Sequence, residues 1–262
     1  MALPRPYWAD MTALDFSTDT DGWVAVVPTA AVEQHGPHLP LGTDTIINEG
    51  MVATTVARLP ADLPATFLPV QTIGKSNEHL AYRGTITMSW ETAIKAWLEI
   101  GTSIARAGVR RVVFANSHGG NTAMLEVVTR ELRVRFDMLA VNSAWARFGD
   151  ADTVDGHERD FGIHGGTVET ALVRHFRPEL VRDEHVDNFA SAEETLRAQN
   201  TFLSAHGRHP FAWKAGDLNP HGVVGDASLG TAEMGRRIAE QGADRFIALL
   251  REVASIDLSV LK

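Results

Sequence analysis

Glu33, His35, His38 and Asp44 fall within one short stretch, Val32-Glu33-Gln34-His35-Gly36-Pro37-His38-Leu39-Pro40-Leu41-Gly42-Thr43-Asp44. Carboxylate oxygens and imidazole nitrogens gathered in this way suit a divalent metal such as zinc, manganese or iron. The stretch follows an apolar, β-branched run, Trp23-Val24-Ala25-Val26-Val27-Pro28, which reads as a buried strand. Polar side chains just past the end of such a strand sit where α/β proteins place their ligands.

Three later clusters have the same character. In Asn116-Ser117-His118-Gly119-Gly120-Asn121, a histidine lies between a strand end and a helix start, and the glycines let backbone approach a ligand. Ser117 and His118 do not form a nucleophile–base pair by adjacency, because neighbouring side chains diverge. In His164-Gly165-Gly166-Thr167-Val168-Glu169-Thr170, a helix starting near Thr167 puts Glu169 in its first turn, where the macrodipole favours a carboxylate. Asn219-Pro220-His221-Gly222-Val223-Val224-Gly225-Asp226-Ala227 holds turn chemistry and, by its residues alone, reads as a structured surface loop. His157, His175, His185, His206 and His209 read as bystanders, and the direction of His38 does not follow from the sequence.

The elements that must position these residues alternate. Apolar spacing predicts a helix over 46–59, stopped by Pro60, and a short strand over 66–70. Residues 74–85 are polar and glycine-bounded, hence a loop. Ser89 is a suitable N-cap for a helix over 90–107, with Gly108 as its stop. A strand over 111–115, a helix over 122–135 and a strand over 138–141 follow. Residues 144–166 are irregular, and 167–176 are helical. Ser191 can cap a further short helix, 205–230 is loop-like, and 231–253 forms an amphipathic closing helix. The expected fold class is α/β: a mainly parallel sheet with helices on both faces, in one domain over 1–262.

Composition narrows the chemistry. With 44% hydrophobic residues the chain can bury a sizeable core. The net charge of -9 argues against a general nucleic-acid binder and a polybasic membrane anchor. The absence of cysteine excludes disulfides, thiolate metal sites and a cysteine nucleophile, so any metal is held by His, Asp and Glu. The first residues show no apolar signal region and no segment approaches a membrane span, so the expected location is cytoplasmic.

Taken in order, the clusters resemble the signature of the creatininase (creatinine amidohydrolase) family. The resemblance rests on Glu33 to Pro40 with Thr43-Asp44, Glu78-His79 before Gly84-Thr85, Asn116 to Asn121, His164-Gly165-Gly166 with Glu169-Thr170, and Gly222 to Asp226. It spans roughly residues 20–240. The resemblance implies a three-layer α/β/α sandwich and a metal-dependent hydrolase acting on the C–N bond of a cyclic or linear amide. It implies Glu33, His35, Asp44 and His118 as metal ligands, with Asp44 able to bridge two ions, and His164 as the catalytic histidine. Glu169 is implied as a ligand or a carboxylate close behind the ligands, with a share in catalysis. Glu78, His79, Gly119, Gly120 and Trp145 are the expected substrate-binding residues. One or two divalent ions per chain are expected, zinc first, with manganese and iron as alternatives. A homo-oligomer, hexameric or smaller, is implied as well.

This chain also departs from the creatininases proper. They carry a glutamate two residues after the histidine that matches His118; Gly120 stands there, and Glu169 is the available substitute. A pocket tryptophan four residues before the catalytic histidine is replaced by Asp160, while Trp145 matches the other one. Thr167 follows the His-Gly-Gly step where many members have glutamate. These departures point away from creatinine as substrate. The expectation is an amidohydrolase on a small-molecule amide, with no nucleic-acid or membrane partner. The alternatives are a peptidase trimming a small peptide, which needs an open groove, and a non-catalytic ligand-binding member.

Overall fold

Strand β1 (Val24–Thr29) is buried along its whole length, and its two-residue period divides the core between the faces of the sheet. Val24 and Val26 enter one hydrophobic cluster; Ala25 and Val27 enter another on the opposite face. The computed structural model describes residues 3–148 and 153–261. Strands β2 (Ala65–Phe67), β3 (Arg111–Asn116) and β4 (Leu139–Ala144) complete a parallel sheet of order β2-β1-β3-β4. Thr29 at the end of β1 lies beside Asn116 at the end of β3, so the polar residues that follow both strands emerge together.

Helices cover both faces, as alternation predicts. Against the Val24 and Val26 face pack α1 (Thr43–Ala57), α5 (Thr167–Phe176) and α8 (Ala232–Ser255). Against the other face pack α2 (Trp90–Arg106) and α3 (Thr122–Phe136). Ser89 caps α2 by accepting from Thr92 N, and Thr231 caps α8 by accepting from Met234 N. Ser191 caps α6 (Ala192–Gln199).

The boundaries differ from expectation where backbone contacts override periodicity. Helix α1 begins at Thr43, not at residue 46, because the Pro40 carbonyl accepts from both Thr43 N at 3.2 Å and Thr43 Oγ1 at 2.7 Å. Asp44 therefore sits in a helical first turn. Strand β2 starts one residue earlier and ends at Phe67, two residues before Pro69. Strand β4 runs on to Ala144 because it pairs with β3 along its length. The irregular stretch over 144–166 contains helix α4 (Gly156–Phe161); residues 149–152 within it lie outside the described residues. The loop-like stretch over 205–230 holds α7 (Ala215–Leu218) and strand β6 (Gly225–Asp226), which pairs antiparallel with β5 (Asn188–Phe189). Among the described residues, no helix is long and apolar enough to cross a membrane.

A buried carboxylate fixes the start of α5. Glu158, on α4, is 2% exposed and accepts from Thr167 N at 2.7 Å and Asp226 N at 2.8 Å. Gly162, Gly166 and Gly225 make room for it: a Cβ on any of the three would collide with Glu158 Oε1. Replacing Glu158 by alanine strands two amide donors, at about 1–3 kcal/mol each. Glu158→Ala should therefore lower the urea unfolding midpoint markedly, whereas an unchanged midpoint would show that the clamp is dispensable.

Candidate metal centre

The C-terminal ends of the central strands gather seven titratable side chains. Glu33 and His35 come from the loop after β1, Asp44 from the first turn of α1 and His118 from the loop after β3. His164 and Glu169 flank the start of α5, and His79 arrives on the turn Asn77–His79. Glu33 and Asp44 are each 1% exposed, and His35 is fully buried. The structure thus brings together the Glu33, His35, Asp44, His118, His164 and Glu169 of the sequence reading.

Backbone carbonyls set the orientation of three rings. His35 Nδ1–H donates to the Glu33 carbonyl at 3.2 Å, His118 Nε2–H to the Lys75 carbonyl at 2.8 Å, and His164 Nε2–H to the Gln34 carbonyl at 2.8 Å. Each ring keeps its other nitrogen for the carboxylates. His79 differs: Gln34 Nε2 donates to its Nδ1 at 2.7 Å, so its Nε2 carries the proton and faces Glu33 Oε1 at 3.5 Å. His79 is therefore placed as a donor, consistent with a substrate-facing role more than with a ligand.

The cluster has two halves that share Asp44. On one side His35 Nε2 lies 3.7 Å from Asp44 Oδ1 and 3.6 Å from Glu169 Oε2. On the other, His118 Nδ1 lies 3.4 Å from Asp44 Oδ2 and 3.2 Å from Glu33 Oε2. His164 Nδ1 faces Glu33 Oε1 at 3.6 Å. Among the described residues, Glu33 Oε1, His35 Nε2 and Asp44 Oδ2 are buried with no hydrogen-bond partner. Buried polar atoms are normally paired, and unpaired acceptors facing one another fit a cation between them. The set of imidazole nitrogens and carboxylate oxygens is the donor chemistry that divalent ions take.

Charge in the metal-free cluster is carried by protons. Burial pushes both His35 and His118 down, but Glu169, Asp44 and Glu33 raise His35 to about 10, and Glu33, Asp44 and Glu78 raise His118 to about 10. Burial also works against the charged form of Glu33, yet His118, His164 and His35 hold that carboxyl well below its usual range. Burial and the charge of Glu33 push Asp44 well above it. Glu169, despite burial, is held at about 2 by His35. His164 does not titrate near neutrality, as a proton shuttle of ordinary basicity would: burial and then the charge of His35 lower it to about 4.

The remaining predicted residues divide between two cavities. One, of about 840 Å³, is lined by Glu33, Glu78, His79, His118, Gly119, Gly120 and His164, together with Phe211, Trp213 and Lys214. The other, of about 270 Å³, is lined by Trp145, Glu169 and apolar side chains of α1 and α8, and shares His118 and Gly119 with the first. Trp145 therefore stands apart from Glu78 and His79, its indole N–H held by Asn48 Oδ1 at 3.1 Å. The stretch over 219–227 is not a surface loop. Val223 and Val224 are buried, Val224 exchanges backbone bonds with His164, and Gly222 O accepts from Gln34 Nε2. His38, whose direction was open, turns away from the cluster onto the Gly165 carbonyl and Thr170. His206, read as a bystander, lines the larger cavity. Ser76, which donates to Glu33 Oε2, and Gln34 carried no sequence signal beyond their place beside the motifs.

Comparisons with known proteins agree with this geometry. A sequence model named Creatininase, described as creatinine amidohydrolase, matches residues 9–250. A mycofactocin precursor peptide peptidase of Mycobacterium ulcerans is 33% identical over 232 residues, covering 85% of this chain and 82% of that protein. The creatinine amidohydrolase of Pseudomonas putida is 26% identical over 171 residues, covering 60% of this chain and 66% of that protein. A crystal structure of creatinine amidohydrolase (creatininase) superposes with a TM-score of 0.77 at 22% identity, covering 96% of this chain and 99% of that one. With the family match spanning nearly its whole length, the chain belongs to the creatininase family.

Proposed function

We propose that this protein is a metal-dependent peptidase that hydrolyses an amide C–N bond in a small peptide. The observation that carries the reading is the larger cavity. At about 840 Å³ it is lined by Glu33, His118 and His164 and by the aromatic Phe211 and Trp213. That volume lies toward the upper end of ligand pockets, about 300–1,000 Å³, and gives a peptide segment the open groove it needs. Relatives named mycofactocin precursor peptide peptidase, 31–34% identical to this chain, support the same class. A second reading, a small cyclic or linear non-peptide amide, draws on the 270 Å³ cavity beside Glu169 and Trp145.

In this reading His35, Asp44 and Glu169 would hold one divalent ion, and His118, Asp44 and Glu33 would hold a second. Bound there, such ions supply Lewis acidity, lowering the pKa of water and polarising a carbonyl. Solved creatininases similar in fold include a manganese form and a Zn-Zn form, which favours these two metals over iron. His164 enters the reaction as a neutral base. Its Nε2–H is held by the Gln34 carbonyl, and its Nδ1 lone pair takes the proton of the attacking water and returns it to the leaving nitrogen. The rings of His35 and His79, with centroids 4.2 and 4.3 Å from that of His164, keep it in place. The amides of Gly119 and Gly120 line the same cavity and are the proposed oxyanion donors. One domain, a cytoplasmic location and a homo-oligomer of six chains or fewer complete the proposal.

The test is incubation of zinc- or manganese-loaded protein with short peptides, read by mass spectrometry, with creatinine and other cyclic amides in parallel. Peptide cleavage that stops on chelation is expected, and His164→Ala should keep its metal while losing about 100- to 10,000-fold in turnover. Hydrolysis of cyclic amides with peptides left intact would move the assignment to the second reading. Metal uptake without turnover of either class would make the protein a ligand-binding member.

Proton linkage gives an independent check. With His35 and His118 raised to about 10, both are protonated at neutral pH in the metal-free protein. Ion binding must displace those protons, so affinity should rise with pH. Calorimetric titration in buffers of different ionisation enthalpy should report proton release at neutral pH. A binding enthalpy that is independent of buffer would contradict the proposed ligand set.

A further inference from the structure

The stretch over 205–214 lines the larger cavity with Ala205, His206, Phe211, Trp213 and Lys214, none of which belongs to the metal centre. Its backbone is fixed at both ends. Ala205 N donates at 2.7 Å to Oε2 of the fully buried Glu193, whose other oxygen accepts from Arg197 Nε at 2.9 Å. Phe211 N donates to the Ser204 carbonyl at 3.0 Å, and Trp213 Nε1 to the Ala205 carbonyl at 2.9 Å. Just after Lys214, Ala215 and Leu218 of α7 are buried, and Asp217 Oδ2 accepts from Lys214 N at 2.8 Å. The main chain at Lys214 is thus anchored, while its side chain is exposed.

Lys214 is the one lysine or arginine among the residues that line this cavity. Its Nζ has no hydrogen-bond or ion-pair partner among the described residues; Asp217, the acid nearest in sequence, spends one oxygen on the Lys214 amide. The other basic groups of this region are committed, Arg197 to Glu193 and His206 Nε2 to the Asp160 carbonyl at 2.8 Å. An ammonium without a protein partner offers an incoming anion a charge-assisted hydrogen bond. In a cavity that takes a peptide, that anion is a carboxylate, carried at the C-terminus or on an Asp or Glu side chain. Glu78, on the same lining, repels such a group, which leaves Lys214 as its counter-charge.

We propose that Lys214 is a specificity residue that pairs with a carboxylate of the peptide substrate. The proposal rests on the peptidase reading above and deepens it, because it states which peptides the cavity prefers. Lys214 acts in binding and takes no part in the chemistry at His164.

The test uses the short peptides of the cleavage assay above on zinc- or manganese-loaded protein. Each is made with a free C-terminal carboxylate and as the C-terminal amide, and each Asp or Glu is also replaced by Asn or Gln. Wild type should prefer the carboxylate forms. Lys214→Ala should raise KM for those forms about fivefold with the loss in KM and not in kcat, and so erase the preference. Lys214→Arg should retain it. A preference that follows the free C-terminus identifies the terminal carboxylate; one that follows Asp or Glu identifies a side chain. Equal cleavage of carboxylate and amide forms by wild type, or a preference that survives in Lys214→Ala, would overturn the proposal alone. A wild type that cleaves no peptide would overturn the peptidase reading and this proposal with it.

Discussion

Hydrogen bonds from His35, His118 and His164 to the backbone carbonyls of Glu33, Lys75 and Gln34 are the constraint on which the centre depends. Each bond consumes one ring N–H and so determines which nitrogen remains for chemistry. The Glu33 and Gln34 carbonyls belong to the motif that also carries Glu33 and His35, so one segment supplies candidate ligands and orients rings. The Lys75 carbonyl comes from a different loop and ties the Glu78 turn to the His118 side. Asp44 joins the two halves because α1 starts at Thr43 and projects it from a helical first turn between His35 and His118.

Electrostatics explains why such a cluster can be buried at all. Two carboxylates at 1% exposure are costly unless opposite charge lies against them. Without metal, protons on His35 and His118 supply that charge and Asp44 is driven toward its neutral form. Ions would supply it more fully, which couples metal uptake to proton loss. The fold supports the arrangement with a further buried carboxylate, Glu158, which is satisfied by amide donors instead and fixes the start of the helix that carries Glu169. Glycine at 162, 166 and 225 leaves the space that Glu158 fills.

Much of this was legible in the sequence. The strand ahead of Glu33, the α2 and α8 caps, the start of α5 and the order of the chemical clusters all follow from local patterns, and the parallel sheet follows from their alternation. What was not legible depends on contacts between distant segments. Carbonyl oxygens have no sequence signature, so the ring orientations could not be foreseen. Val223 and Val224 form too short an apolar run to announce burial, yet they back His164. The low basicity of His164 is set by burial and by the charge of His35, neither of which spacing reveals.

The central claim is that Asp44 is shared by two ions, one on His35 with Glu169 and the other on His118 with Glu33. Anomalous diffraction from crystals grown with zinc or manganese measures it most directly. The account predicts two anomalous peaks in the cluster, each adjoining a different oxygen of Asp44. A single peak, peaks that do not touch Asp44, or an empty cluster in metal-soaked crystals would contradict it.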